Sequence, residues 1–344
     1  MNSLNEKIIG AVVEKARRVC PDSLALVGVY GSARTGDGHA RSDLDLLILI
    51  GDEEGRKLAK GFILEDAGIG YDLYCTTWPM LEDDAACRQA HLGRLMDAEI
   101  VYASGEAALA RLNGLRERAA ALLASEERYR RAAETVERLC GAYARAMAAE
   151  TLGAMRAWAA WFISLGLDAV MLWNGRYFKR GVKRTFEELA GLDLPEGFVE
   201  DIGKIVRSRD AGELGGRLTA LLRSVMKFTD RAGQKDPPSK QVLEGTYEEM
   251  FSNWRNKMPE AAARGDVFSS FMNMASFQFM LGEIAGETDI PEYNVMEAFD
   301  PDDLAGNAEA FDAALAEYLK EYEKLGMKPE RYRNVDEFVR EYLG

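Results

Sequence analysis

Asp43 and Asp45 stand one residue apart at the head of an apolar run, Asp43-Leu-Asp-Leu-Leu-Ile-Leu-Ile50, and Gly31-Ser32 lies ten residues upstream. Two carboxylates on one face of a strand repel each other and raise one pKa unless a proton or a cation intervenes. Magnesium removes the conflict, because one or two carboxylates plus substrate phosphates are its usual oxygen ligands. Gly31, lacking a Cβ, lets backbone N–H groups approach phosphate oxygens, and Ser32 adds a hydroxyl donor. The combination points to metal-assisted chemistry at phosphorus, where two ions about 3.5–4 Å apart stabilise the attacking and leaving oxygens. Asp72, in Gly70-Tyr-Asp-Leu-Tyr-Cys-Thr-Thr77, offers a third acid and a base for an incoming hydroxyl if its strand lies beside the first.

These residues need a sheet to hold them. Ser23 to Tyr30 is apolar and β-branched and stops at Gly31, which predicts a buried strand ending in a tight turn. Ala33 to Ser42, with two glycines, reads as a loop. From Asp43 the period of two sends Asp43, Asp45, Leu47 and Leu49 to one face and Leu44, Leu46 and Ile48 to the other. The pattern further predicts an N-terminal helix, helices over 52–66 and 79–91, and a short strand over 99–102.

Gly31-Ser32, ten residues, Asp43-Leu44-Asp45 and a strand-borne Asp72 resemble the signature of the DNA polymerase beta-type nucleotidyltransferase superfamily, in its small-molecule and minimal branches. The resemblance covers about the first quarter of the chain. It implies that Asp43 and Asp45 bind two magnesium ions, that Asp72 binds one of them, and that Gly31 and Ser32 hold a nucleoside triphosphate. Arg34 and Ser42 join them as nucleotide-binding candidates. The implied reaction moves a nucleoside monophosphate, AMP in the first instance, to an acceptor hydroxyl and releases pyrophosphate. The expected architecture is an α/β catalytic domain with a small mixed sheet over 1–112 and an all-α helical domain over 113–344 closing the cleft. A sub-boundary is expected near 235–240, at Pro237-Pro238.

Composition narrows the partners. The 344 residues carry a net charge of −14, which opposes general binding to nucleic acid. The same field favours a small cationic acceptor, such as an aminoglycoside-like molecule. Two other readings remain open: a catalytically silent nucleotide-binding or antitoxin-like regulatory protein of the same fold, and a nucleotidyltransferase that modifies protein or RNA. Four scattered cysteines without metal spacing suit a reducing compartment. Ala157 to Trp173 is apolar but interrupted by Asp168, which predicts a buried helix and no membrane partner, with the cytoplasm as the expected location.

Helical periodicity dominates from Glu106 onward, with helices expected over 106–149, 183–190, 198–207, 213–231, 242–263, 267–285, 307–325 and 335–343. Within this region Arg176 to Arg184 concentrates basic residues in an acidic chain. It resembles a lysine-bearing turn that reaches the triphosphate in helical domains accompanying such enzymes, which makes Lys183 the candidate, with Lys179 and Arg184 behind it. A solvated basic loop is the competing reading. Glu150 is a further candidate base, and Asp168 is expected to pair with an arginine. Neither histidine, His39 or His91, falls in the helical region, so that region cannot perform ribonuclease chemistry with an Arg and His pair.

Overall fold

A computed structural model describes residues 3–38, 42–230 and 237–343, and the chain forms two compact units, Met1–Arg231 and Ala232–Gly344. In the first unit, helix α1 (Ser3–Val19) precedes β1 (Leu24–Val29), a four-residue helix α2 (Ser32–Thr35) and β2 (Leu46–Ile50). A 3-10 turn over Glu53–Leu58 leads to β3 (Lys60–Leu64), β4 (Ile69–Leu73) and β5 (Cys75–Thr77). Helices α3 (Trp78–Ala85) and α4 (Gly93–Met96) and strand β6 (Glu99–Ala103) follow. The sheet order is β5-β2-β1-β6, with β2 and β6 antiparallel to β1 and β5 parallel to β2, so it is mixed as expected.

The period of two in the central strands decides which core each face joins. Leu44, Leu46, Ile48 and Ile50 bury against Ile8, Ile9, Val12 and Ala16 of α1. Leu47 and Leu49 bury on the other side with Trp78, Leu81 and Leu95. A strand covered on both faces reads as a continuous apolar run, which is why β2 is Leu-Leu-Ile-Leu-Ile.

Three local expectations are corrected. No helix spans 52–66: the Asp52 carboxylate accepts Gly55 N–H and closes a 3-10 turn, after which Lys60–Leu64 pairs with Ile69–Leu73 around Gly68, whose φ is +62°. The helix predicted to reach 91 stops at Ala85, because Cys87 takes a positive φ of 51° and donates to Asp84 O. The strand expected over 70–77 is two strands, β4 pairing with β3 and β5 pairing with β2.

Beyond β6, helices α5 (Glu106–Ala124), α6 (Glu127–Met147), α7 (Leu152–Trp173), α8 (Thr185–Leu189), α9 (Phe198–Arg207) and α10 (Ala211–Thr229) complete the first unit. The division expected at 112 is not a break in packing, since one core continues from Leu26 and Leu47 through Leu112 and Phe162 to Val225. Helix α7, capped by the Thr151 hydroxyl on Ala154 N–H, is long and apolar enough to cross a membrane by length and composition. Here it is a core helix, with Phe162, Leu165, Ala169, Val170 and Leu172 fully buried.

The second unit holds α11 (Lys240–Leu243), α12 (Thr246–Met250), α13 (Lys257–Arg264), α14 (Val267–Glu287), α15 (Leu304–Lys324) and α16 (Val335–Tyr342). The single helix predicted over 242–263 is broken. Gly245 adopts φ +81° and ends α11, and a π-helical turn, Phe251–Arg255, precedes α13, where Pro259 lacks the N–H that a regular ladder would bring back to residue 255. The core of this unit gathers Met274, Phe277, Leu281, Phe311 and Tyr318, with the Phe277 and Phe311 rings 4.2 Å apart.

Leu47 is fully buried at the centre of the sheet. Leu47→Ala is expected to destabilise the first unit by about 2–5 kcal/mol through lost burial and the cavity left behind, measured by urea unfolding.

Candidate active site

At the end of β1 the chain turns at Gly31, whose φ of +64° and ψ of −144° belong to glycine almost alone. A Cβ there would lie 2.0 Å from Asp45 Oδ2, so the missing side chain is what admits the carboxylate. Asp43 and Asp45 lie on the lead-in to β2, just before its first residue, Leu46. Tyr30 N–H donates to Asp45 O at 3.1 Å and carries the antiparallel ladder one step past Leu46. Burial alternates along this lead-in, with Asp43 exposed, Leu44 buried and Asp45 half-buried, so both acids share the face expected of them.

The Asp45 carboxylate accepts the Ser32 N–H, a group that the sequence assigns to a phosphate. Its pKa is raised, first by burial and then by Asp43, and the Ser32 bond only partly offsets this. Among the described residues no cation acts on it.

Gly31, Ser32, Ser42, Asp43, Asp45 and Lys183 line one cavity of about 830 Å³. Both serine hydroxyls lie about 4.0 Å from where a Cβ on Gly38 would be, so the loop folds them toward each other. The structure thus brings together six of the eight residues proposed from sequence. Arg34 turns away and pairs with Glu99. Asp72 sits on the exposed face of β4 with Gly70, which lines the cavity beside Asp43, and the parallel register of β2 with β5, Ile48 opposite Cys75, leads back toward Asp45 and Asp72 as neighbours, although β4 itself hydrogen-bonds to β3. Among the described residues no three His, Cys, Asp or Glu side chains converge to hold a metal ion. Glu150 is exposed in the turn before α7. His39 and Arg41 lie outside the described residues.

The basic segment 176–184 is exposed at Arg176, Lys179 and Val182 yet is not a free cationic arm, since hydrogen bonds and ion pairs tie it down. Tyr177 Oη donates to Asp97 Oδ1 at 2.8 Å, and Phe178 N–H donates to Ala90 O at 2.8 Å. Arg180 forms a two-pronged pair with the Asp37 carboxylate, Arg184 Nε donates to it at 3.0 Å, and Lys183 Nζ donates to the Asp37 carbonyl. The Arg180 guanidinium holds the Asp37 carboxyl far below the usual carboxylate range, with Arg184 adding to it. Three cations thereby fix the loop after Ser32 to the segment that follows α7.

Two further pairs were not read from sequence. Arg94 grips the buried Asp84 at 2.6 and 3.0 Å. Asp168, expected to meet an arginine, instead accepts Ala90 N–H at 3.1 Å and faces His91 Nε2 at 3.7 Å. An acid interrupting an apolar helix was the signal for Asp168, but the partner lies 77 residues away and no local pattern reports it. A neighbouring cavity of about 680 Å³ shares Gln89 and Arg94 with the first and adds Arg88, Arg131 and Arg138.

Residues 6–89 match the family model described as a nucleotidyltransferase domain, which spans β1, the Gly31 turn, both acids and the hairpin. No curated protein matches the chain.

Raising the Asp45 pKa means that folding disfavours its ionised form, so the cost is full at neutral pH and vanishes below the unfolded value of about 4. Asp45→Asn should therefore raise the melting temperature of the metal-free protein by about 1–3 °C at pH 7, with the gap closing below about pH 4. Asp37 has the opposite sign: its lowered pKa stabilises the fold above the unfolded value. Asp37→Ala should lower the melting temperature at pH 7, and the difference should narrow as acid protonates the wild-type carboxylate.

Proposed function

With residues 6–89 forming a nucleotidyltransferase domain, we propose that this chain transfers a nucleoside monophosphate from a magnesium-bound nucleoside triphosphate, ATP in the first instance, to the hydroxyl of a small acceptor and releases pyrophosphate. The observation that carries the reading is the Asp43 and Asp45 pair. It is a half-buried carboxylate beside a second one, set against a glycine turn in a cavity edged by Arg94, Lys179, Arg180 and Lys183.

The donor set fits magnesium. Two carboxylates supply hard oxygen ligands, and burial and then Asp43 raise the Asp45 pKa, a cost that a bound cation would offset. Asp43 and Asp45 would hold the ion. When bound, it supplies charge neutralisation at the phosphates and polarises the phosphorus under attack.

The protein's own groups do the positioning. Ser32, Ser42 and Lys183 line the same cavity and would supply hydroxyl and ammonium donors to phosphate oxygens. The cations on 179–183 stabilise the charge that grows on the pyrophosphate as it leaves. The net charge of −14 belongs to the whole chain, whereas the cavity that holds the carboxylate pair is also lined by Arg94, Lys179, Arg180 and Lys183. Cationic character is thus not what we propose the acceptor to be chosen by.

A second reading, nucleotide binding without turnover, is favoured by one observation. Among the described residues no third carboxylate joins the pair. Calorimetry with magnesium and each nucleoside triphosphate separates these cases when combined with a pyrophosphate assay. Magnesium-dependent binding should be seen with wild type and lost by at least tenfold in Asp43→Asn/Asp45→Asn. Binding without pyrophosphate release under any acceptor would favour the silent reading, and no binding by folded wild type would sink both.

A further inference from the structure

Helix α14 is apolar on two faces, and one of them is open to solvent. Met274, Phe277, Leu281, Ile284 and Ala285 bury in the core of the second unit. At 3.6 residues per turn the opposite side carries Phe268, Met272, Ala275 and Phe279 in one band about 80° wide, with Phe271 at its edge. Phe268 is 73% and Phe279 74% exposed, and Phe271 and Met272 are exposed beside them. A helix that is hydrophobic all round belongs in an interior.

Two glycines supply an independent observation. Gly282 and Gly286 continue the same band, neither has a positive φ, and a Cβ on either would meet nothing within 4 Å. Glycine inside a helix is destabilising relative to alanine, and no contact within the chain, among the described residues, requires it here. The bare backbone instead lines, with Tyr293, a cavity of about 470 Å³ that is open to a large side chain from outside.

The two ends of the band complement each other. Phe268 and Gly282 lie equally far from Ala275 in sequence, as do Phe271 and Phe279. Turning a second copy end for end about Ala275 therefore sets Phe268 over Gly282 of the partner subunit, and Phe271 over Phe279 of the partner subunit. A two-fold axis perpendicular to such a helix pair keeps each flank on its own side. The flank where Arg264 shares a cavity with Ser269 and Asn273 then runs beside the flank bearing the exposed Glu283 and Glu287. Within the chain Arg264 pairs with Glu260 at 3.4 Å, both of them exposed, so it is available to a second carboxylate. The antiparallel setting also opposes the two helix dipoles.

We propose that this band is a homodimer interface, in which α14 packs antiparallel on α14 of a second copy with Ala275 at the two-fold. Such a contact is isologous and closes on itself. The net charge of −14 opposes an anionic membrane as the occupant. One helix about 30 Å long makes a small interface, so the dissociation constant is expected on the order of 10 μM.

Sedimentation velocity of the full chain from about 1 to about 200 μM should show monomer passing to dimer. Phe279→Glu and Gly282→Leu should each weaken the dimer by at least tenfold with the far-ultraviolet helical signal unchanged. Gly282→Leu adds both helix propensity and apolar surface, so its effect cannot come from loss of either. Arg264→Glu and Glu287→Arg should each weaken association, and the double reversal should restore it. The two residues stand at opposite ends of α14 in one chain, so only contact between copies would couple them. A monomer throughout the range overturns the proposal, as does a dimer indifferent to Phe279→Glu and Gly282→Leu. An unrestored double reversal overturns the antiparallel arrangement. A dimer dissolved only by Phe338→Glu overturns it in favour of α16, where Val335, Phe338 and Tyr342 are also exposed.

Discussion

Burial of the Asp45 carboxylate beside Asp43 is the constraint on which the site depends. Both acids stand where β2 enters the sheet, on the face whose next residues, Leu47 and Leu49, are fully buried. The apolar floor limits solvation of Asp45, and Asp43 adds a like charge. The fold accommodates this with one backbone amide from Ser32 and with a glycine at 31, the residue that leaves room for the Asp45 oxygen. The conflict is left for a ligand to resolve, which is how a site can be less stable empty than filled.

A second group of charges stands at the cavity, with Asp37, Arg180 and Lys183 in its lining. Asp37 gathers Arg180, Lys183 and Arg184 on one residue, so the loop that follows Ser32 and the segment that follows α7 are joined across more than 140 positions of sequence. Phosphate is the kind of anion these cations would otherwise seek. Asp37 keeps them gathered and oriented at the cavity edge, and sets a competitor against any nucleotide that draws on them.

Legibility in the sequence followed the range of the interactions involved. The period of two in β2 exposed the shared face of Asp43 and Asp45, and the Gly-Ser turn marked the approach to them, because both are local. Helices α9, α10, α14 and α15 could be read for the same reason. The alternation over 70–77 exposed the face that carries Asp72, but not that the strand would pair with β3 up to Leu73 and with β2 from Cys75. Arg34 met Glu99, and Asp168 met His91, through packing that periodicity does not encode. The boundary at 112 was legible as a change of secondary structure but is not a change of core.

Asp168 gives α7 a double duty. The helix that fills the centre of the first unit also carries, between Leu167 and Ala169, the carboxylate that fixes Ala90 and faces His91. Close-packed interiors transmit displacement instead of absorbing it. Volume changes far along α7, at Phe162 or Leu165, would thus reach the cavity as a misplaced ring, and sequence drift in this core is constrained by aim as well as by fit.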